Sequence, residues 1–297
     1  MRKPLAAALL FAMIAFAAKK KNADDITQTL ELPKDPPAVA VGETSRLVFH
    51  VSPLSAKGLL SQQTRDALKA ILKANGGAPV IHLRAFVAGS GDVRRVPQIV
   101  SEIFTERKAA LPSVSVVQVG GFAMAGAQVE LEAVSVAKKE VNLDGLAFLP
   151  LGTAITGAPF AVTCYASDDL SEVTADMTAQ YPAAAIAVVQ PQRDGSHGTT
   201  SCEAIVRGGP VKASQLAFTG TRVGFGAAAL DRLNRDLREA GADPSALIAS
   251  HFYSLTPSPK FALPANAASV IPVDGIASID ATFAIDAVAT LRSGPGR

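Results

Sequence analysis

The chain has 297 residues, 48% of them hydrophobic, with no Trp and 28 basic against 26 acidic side chains. That composition supplies apolar material for packed cores and excludes a disordered chain, while the length suits two domains, or one large or three small ones. A charge so near balance argues against nucleic acid as the main partner, because phosphate binding calls for a basic surface.

Arg2 and Lys3 precede the apolar run LAAALLFAMIAFA, which ends in the A-x-A pattern Ala15-Phe16-Ala17. The run is short for a membrane span and has the flanks of a secretory signal peptide, so 1–17 reads as a signal and 18–36 as a polar linker. A retained anchor is the alternative, since Lys19, Lys20 and Lys21 would sit well at a membrane surface. Cleavage leaves 26 basic against 26 acidic residues. The product is expected to be exported, periplasmic or extracellular, with no membrane contact afterwards.

The first unit, 37–138, alternates strand and helix. SRLVFHVSPLS has strand periodicity, and the next segment places Leu60, Ala67, Leu68, Ile71 and Leu72 on one helical face before Gly76-Gly77 ends it. PVIHLRAFVAG is a second strand. A second helix follows, with Asp92 as N-cap, Val93, Val96, Ile99, Val100, Ile103 and Phe104 as its stripe, and Pro97 near its first turn. LPSVSVVQVGGFAMAGAQVELEAVSV, residues 111–136, then reads as a closing hairpin. The result is β-α-β-α-β-β, an α/β (α+β) layer with both helices on one sheet face.

Residues 139–209 look like an abbreviated copy. FAVTCYAS, a helix, YPAAAIAVVQ and TTSCEAIVRG follow the same order, the last two as a hairpin turning at Asp194-Gly195, but no first helix follows GLAFLPLG. Residues 210–293 are abbreviated differently. SQLAFTG precedes a helix with Leu230, Leu233 and Leu237 as its stripe and Gly241 at its end, and ASVIPVDGIASIDATFAIDAVATL ends the unit without a second helix. This period argues a repeat architecture. The alternative is two domains, with 139–293 as one unit carrying a long insertion. Cys164 and Cys202 lie in strand-like stretches, so a bridge between neighbouring strands and two buried free thiols both stay open.

The segment from Asp92 through LPSVSVVQV and VELEAVSV resembles the Rid family of enamine/imine deaminases, also called the YjgF or L-PSP family. The ALKAILKANGG helix fits it too, as does AALDRLNRDLREAGADPSALIASHFYS near the C-terminus. The resemblance implies a chorismate-mutase-like fold. Because members are typically homotrimers, it also implies that three units in one chain form a monomer acting as an internal pseudo-trimer, helices outside and sheets forming a central barrel. The family binds its substrate carboxylate through an arginine, whose planar fork suits that task. The matching positions here are Val114, Ala184 and Ala268, none of them basic, and the family's N-terminal Gly-Pro-Tyr-Ser-like loop is replaced by DPPAVAVGETS. The acid of the final strand persists as Glu132, Glu203 and Asp286. The resemblance makes these catalytic residues that position water; polar strand residues facing a cleft are the plainer reading. Arg84 and Arg207 are the possible substitute cations.

Three further patterns carry less. Gly224-x-Gly226-x-x-Ala229 mimics a dinucleotide fingerprint, but no acid for a ribose follows the next strand. His50, His82, His197 and His251 show no metal-ligand spacing, although His50 and His82 look to be on adjacent strands. No G-x-S-x-G is present. The expectation is an exported Rid-like protein with eroded deaminase sites, without metal or cofactor, whose clefts between units bind a small-molecule ligand or a protein. An active imine deaminase with a relocated cation, and a structural or interaction domain without a cleft function, are the alternatives.

Overall fold

The computed structural model describes residues 37–44, 47–89, 93–136, 145–192, 199–209, 214–225, 227–256 and 267–291. The signal-peptide and linker expectations, Asp92, the Asp194-Gly195 turn, His197 and Gly226 therefore lie outside the described residues. The chain begins with β1 (Val39–Thr44), β2 (Leu47–Val51), α1 (Leu60–Ala74), β3 (Val80–Ala88), α2 (Arg95–Glu106), β4 (Ser113–Val119) and β5 (Val129–Val136). Next come β6 (Leu146–Leu149), β7 (Pro159–Ala166), α3 (Leu170–Gln180), β8 (Ala185–Gln190) and β9 (Thr200–Arg207). The last group is β10 (Ser214–Thr219), β11 (Arg222–Gly224), α4 (Ala228–Glu239), β12 (Ala242–Ser254), β13 (Ala267–Pro272), β14 (Gly275–Ile276) and β15 (Phe283–Leu291).

Local chemistry explains these boundaries. Helix α1 buries Leu60, Ala67, Leu68 and Ile71, and the chain leaves it through Gly76 and Gly77 at φ +60° and +81°. Pro97 stands in the first turn of α2, where its missing N–H breaks no helical bond. Asp169 caps α3, its carboxylate accepting from the N–H groups of Ser171 and Glu172. Helix α4 buries Ala229, Leu233 and Leu237.

One pairing scheme occurs three times. The strand orders are β2-β5-β3-β4, β6-β9-β7-β8 and β10-β15-β12-β13. In each, the first two neighbouring pairs are antiparallel and the last is parallel. Additions differ from sheet to sheet: β14 extends the second beyond β8, β1 extends the third beyond β10, and β11 pairs with β15.

This pairing corrects three local expectations. Residues 111–136 are not a hairpin, because β3 lies between β4 and β5; β7 separates β8 from β9 in the same way. Alternation reveals a strand but not its partner, and a helical crossover places β4 parallel to β3 and away from β5. His50 and His82 are not on adjacent strands, since β5 runs between β2 and β3. DPPAVAVGETS carries β1, whose Gly42 is hemmed in by Phe160, Phe218 and Leu146, so a side chain there would crowd all three.

Alternation along the strands separates two kinds of core. On one face each sheet packs its helices: Leu83, Val100 and Leu131 with α1 and α2, Val162 and Val188 with α3, Ile285 and Phe252 with α4. On the other face the three sheets meet. Phe86, Val117, Tyr165, Val189, Tyr253 and Ile271 form one shared apolar cluster. Ala185, Phe218, Ala249, Ala267, Val288 and Phe49 belong to another. No helix among the described residues is long and apolar enough to cross a membrane.

Cys164 and Cys202 face each other across β7 and β9 and form a disulfide. It closes a loop with a sequence separation of 38 residues, which in the loop-entropy account removes about 4 kcal/mol of unfolded-state freedom. Replacing both cysteines by Ala is therefore expected to lower the unfolding free energy by about 2–4 kcal/mol, measured by urea denaturation against the oxidised wild type.

Candidate functional site

The interior-facing residues of the three sheets fall into matching registers. Arg84 on β3 stands opposite Glu132 on β5 and Ser115 on β4. Thr163 on β7 stands opposite Glu203 and Ala187. His251 on β12 stands opposite Asp286 and Ser269. The three acids expected from the sequence thus occupy corresponding positions, each one strand from a different partner: arginine, threonine or histidine.

The side chains join across sheets. Arg84 Nη1 donates to Glu132 Oε2 at 2.8 Å and lies 3.1 Å from His251 Nε2. Its Nε is 2.6 Å from Glu203 Oε1, an ion pair whose N–H does not point along the contact. His251 Nδ1 meets Asp286 Oδ1 at 2.5 Å, while its Nε2 is 3.3 Å from Glu132 Oε2. Ser269 donates to Glu132 Oε1 and Tyr165 to Glu203 Oε1. His82, one interior position along β3, contacts Ser113 Oγ at 2.8 Å and stacks on Phe148.

Burial and charge oppose each other throughout the cluster. Burial pushes the Glu132 carboxyl up, but His251 and Arg84 outweigh it and hold it at about 2. Burial likewise works against ionised Glu203, and Arg84 with His82 brings it to about 2. His251 is pulled down by burial and driven to about 10 by Glu132 and Asp286. Burial also opposes the Arg84 charge, yet its carboxylate neighbours, led by Glu203, raise it above the ordinary value. For Glu130 burial and the Glu132 charge outweigh Ser269 and His251 and push it up to about 8, so it stays protonated at neutral pH.

The other expected site residues lie elsewhere. Val114 packs toward α1 and α2, and Ala184 belongs to the core beneath α3. Ala268 shares the strand parity of Val270, which packs on the α4 side. Ser115 and Ser269 hold the interior positions beside Val114 and Ala268, and Ala187, three residues beyond Ala184, holds the same register in the second sheet. Arg207 ends β9 with its guanidinium 5.8 Å from the Phe160 ring centre, outside the charged cluster. Gly224 serves packing, since a side chain there would strike the Ala229 backbone at the start of α4. The sequence reading left His82, His251, Ser269 and Tyr165 out of the site, although alternation from Arg84 reaches His82.

A cavity of about 60 Å³ adjoins the cluster. Its polar end is His82, Arg84, Glu132, Glu203 and His251; its walls include Phe49, Phe148, Ala161, Ala249 and Val288, from all three sheets. The described residues contain no group of three or more His, Cys, Asp or Glu arranged to hold a metal ion.

Solved structures similar to part of this chain are those of the YjgF, or Rid, family. E. coli TdcF with bound serine shares 22% identity and a TM-score of 0.28, covering 36% of this chain and 95% of that one. The YjgF gene product of E. coli gives 22% and 0.28, covering 36% and 96%. Rv2704 of Mycobacterium tuberculosis, a member of the YjgF/YER057c/UK114 family, gives 26% and 0.24, covering 35% and 81%. No protein-family model and no curated protein matches the sequence.

The shifted groups set the pH dependence of stability. Glu132 and Glu203, depressed in the fold, contribute stability that is present above their unfolded value and lost as pH falls toward about 2. His251, raised, contributes fully below its unfolded value of 6.5 and loses that contribution as pH rises through about 10. Glu130, also raised, loses its contribution between 4.5 and about 8. Stability is expected to peak on the acid side of neutrality and to decline from pH 5 to 9 in thermal melts. Glu130→Gln should flatten the part of that decline below pH 8.

Proposed function

We propose that the chain is an exported protein of three Rid-like units, 37–138, 139–209 and 210–293, folded as an internal pseudo-trimer with eroded deaminase sites. Its cavity between the sheets binds a small molecule without hydrolysing it. The recurring strand order supports the three-unit reading. The different omissions fit as well: no helix is described between β6 and β7, and none among the described residues between β12 and β13.

The observation that carries the non-catalytic reading is the state of Arg84. Hydrolysis of an imino acid needs a cation free to take the substrate carboxylate, with water positioned beside the C=N carbon. Arg84 is the arginine on the cavity wall, and Glu132 and Glu203 of the same chain already bind it. Transferring it to a substrate would leave carboxylates buried without their counter-charge, a cost of about 3–5 kcal/mol. The positions matching the family arginine offer only Val114, Ala184 and Ala268. One observation favours the active alternative: two ionised glutamates and Arg84 border the same cavity.

Ammonia release from freshly generated 2-iminopropanoate separates these readings. The purified protein is expected to give the buffer rate; turnover lost in Glu132→Gln or Glu203→Gln would establish the deaminase instead. Mass in solution is expected to be that of a monomer, and a trimer of chains would overturn the internal assembly. Export predicts an envelope or secreted fraction whose N-terminal residue is Ala18.

A further inference from the structure

The cavity wall carries two buried polar atoms that its own chain leaves unused. Glu203 Oε2 and His50 Nε2 both lack a hydrogen-bond partner and belong to residues lining this one space. Glu203 is 4% exposed, and His82 Nε2, at 3.7 Å, stands beyond hydrogen-bond length from its free oxygen. A buried carboxylate oxygen without a donor is costly, and such groups ordinarily find one.

Water alone is a poor occupant. A space of about 60 Å³ has room for about four or five waters, and each needs two to four polar partners. Apolar residues make up most of the wall, among them Phe49, Phe148, Ala161, Ala249, Ala267 and Val288. The shape and chemistry call for one donating end and a compact apolar body.

The unpaired carboxylate oxygen at that end favours a cation. Arg84 and His251 face Glu132, Glu203 and Asp286, and His82 Nε2 stands 3.7 Å from Glu203 Oε2 as a third basic neighbour. Arg84 and His251 are engaged by these acids, whereas Glu203 and Asp286 each keep one oxygen without a hydrogen bond, and Glu203 is the one of the two on the cavity wall. His50, lowered by burial, adds no positive charge to the wall at neutral pH. Glu130, two residues along β5, is protonated and adds no negative charge.

Resting on the reading that this cavity binds a small molecule, we infer that its ligand is a compact primary ammonium compound. Its charged end donates to Glu203 Oε2, and its apolar body of about four heavy atoms lies between Phe49, Ala161 and Ala249. This is opposite in charge to a carboxylate ligand, which would need Arg84 released from Glu132 and Glu203.

Calorimetry and chemical-shift titration of the purified protein at pH 7 test this with three probes of similar size: n-butylammonium, butyrate and 1-butanol. Butylammonium is expected to bind at least about ten-fold more tightly than either of the others. Ala161→Leu, which fills the cavity without touching a charge, should weaken it by a similar factor. Glu203→Gln should erase the preference for ammonium over the alcohol. If butyrate or butanol binds as well as or better than butylammonium, the ligand class is wrong and the small-molecule reading stands. If none of the three binds, both fall. Should Glu203→Gln fail to fold, Ala161→Leu still decides the place: unchanged binding in that variant would overturn the proposal.

Discussion

The centre of this protein is organised by the need to neutralise Arg84 away from water. A guanidinium in an apolar interior is stable only when acids surround it at contact distance. Here those acids come from two sheets, Glu132 from the first and Glu203 from the second, so one side chain ties the sheets together. His251 does the same for the third sheet, reaching across to Glu132 while holding Asp286 on its own neighbouring strand. The three sheets also share apolar clusters, but those contacts are non-directional. The ion pairs fix which strand positions face each other, and the cavity beside them inherits its polar end from that arrangement.

Packing around this network explains the unusual composition. The interior positions next to the charged level are largely alanine: Ala161, Ala185, Ala187, Ala249 and Ala267. Small side chains let three sheets approach one another, and the absence of Trp suits a centre with little room for large rings. At the other side of the charges the same strand registers hold Phe86, Tyr165 and Tyr253, which close that end with aromatic bulk. The cavity therefore lies on the alanine side. Burial raises both tyrosine hydroxyls well above their ordinary pKa and keeps them neutral, so they add no charge to the cluster.

Much of this was legible locally and little of it globally. The stripes of α1, α2 and α4 are written in their 3.6-residue periodicity, and Glu132, Glu203 and Asp286 were identifiable from the strands that carry them. Strand partners were not, because alternation in 111–136 is equally compatible with a hairpin and with two strands separated by β3. The histidines were missed for a related reason. His82 and His251 are 169 positions apart in number, yet each meets a glutamate that Arg84 binds, Glu203 for His82 and Glu132 for His251, once the sheets face each other. Pairing each final acid with its neighbouring strand places Arg84, Thr163 and His251 in one register, a common centre that no single stretch of sequence displays.

In the internal pseudo-trimer proposed above, that register gives one chain what three identical chains lack. Threefold assembly of a single sequence repeats every axial residue three times, so an arginine at the Arg84 position would face two copies of itself. Like charges so close in a dry interior are strongly unfavourable. With the positions encoded separately, arginine, threonine and histidine divide the place among them, so that two of the three acids have a basic residue directly opposite. Glu203 thus stands opposite an uncharged Thr163 on its neighbouring strand and depends on Arg84 and His82 from another sheet. The asymmetry of the sequence is thus converted into an asymmetry of the site: of the two acids with an unpaired oxygen, Glu203 and Asp286, Glu203 is the one on the cavity wall.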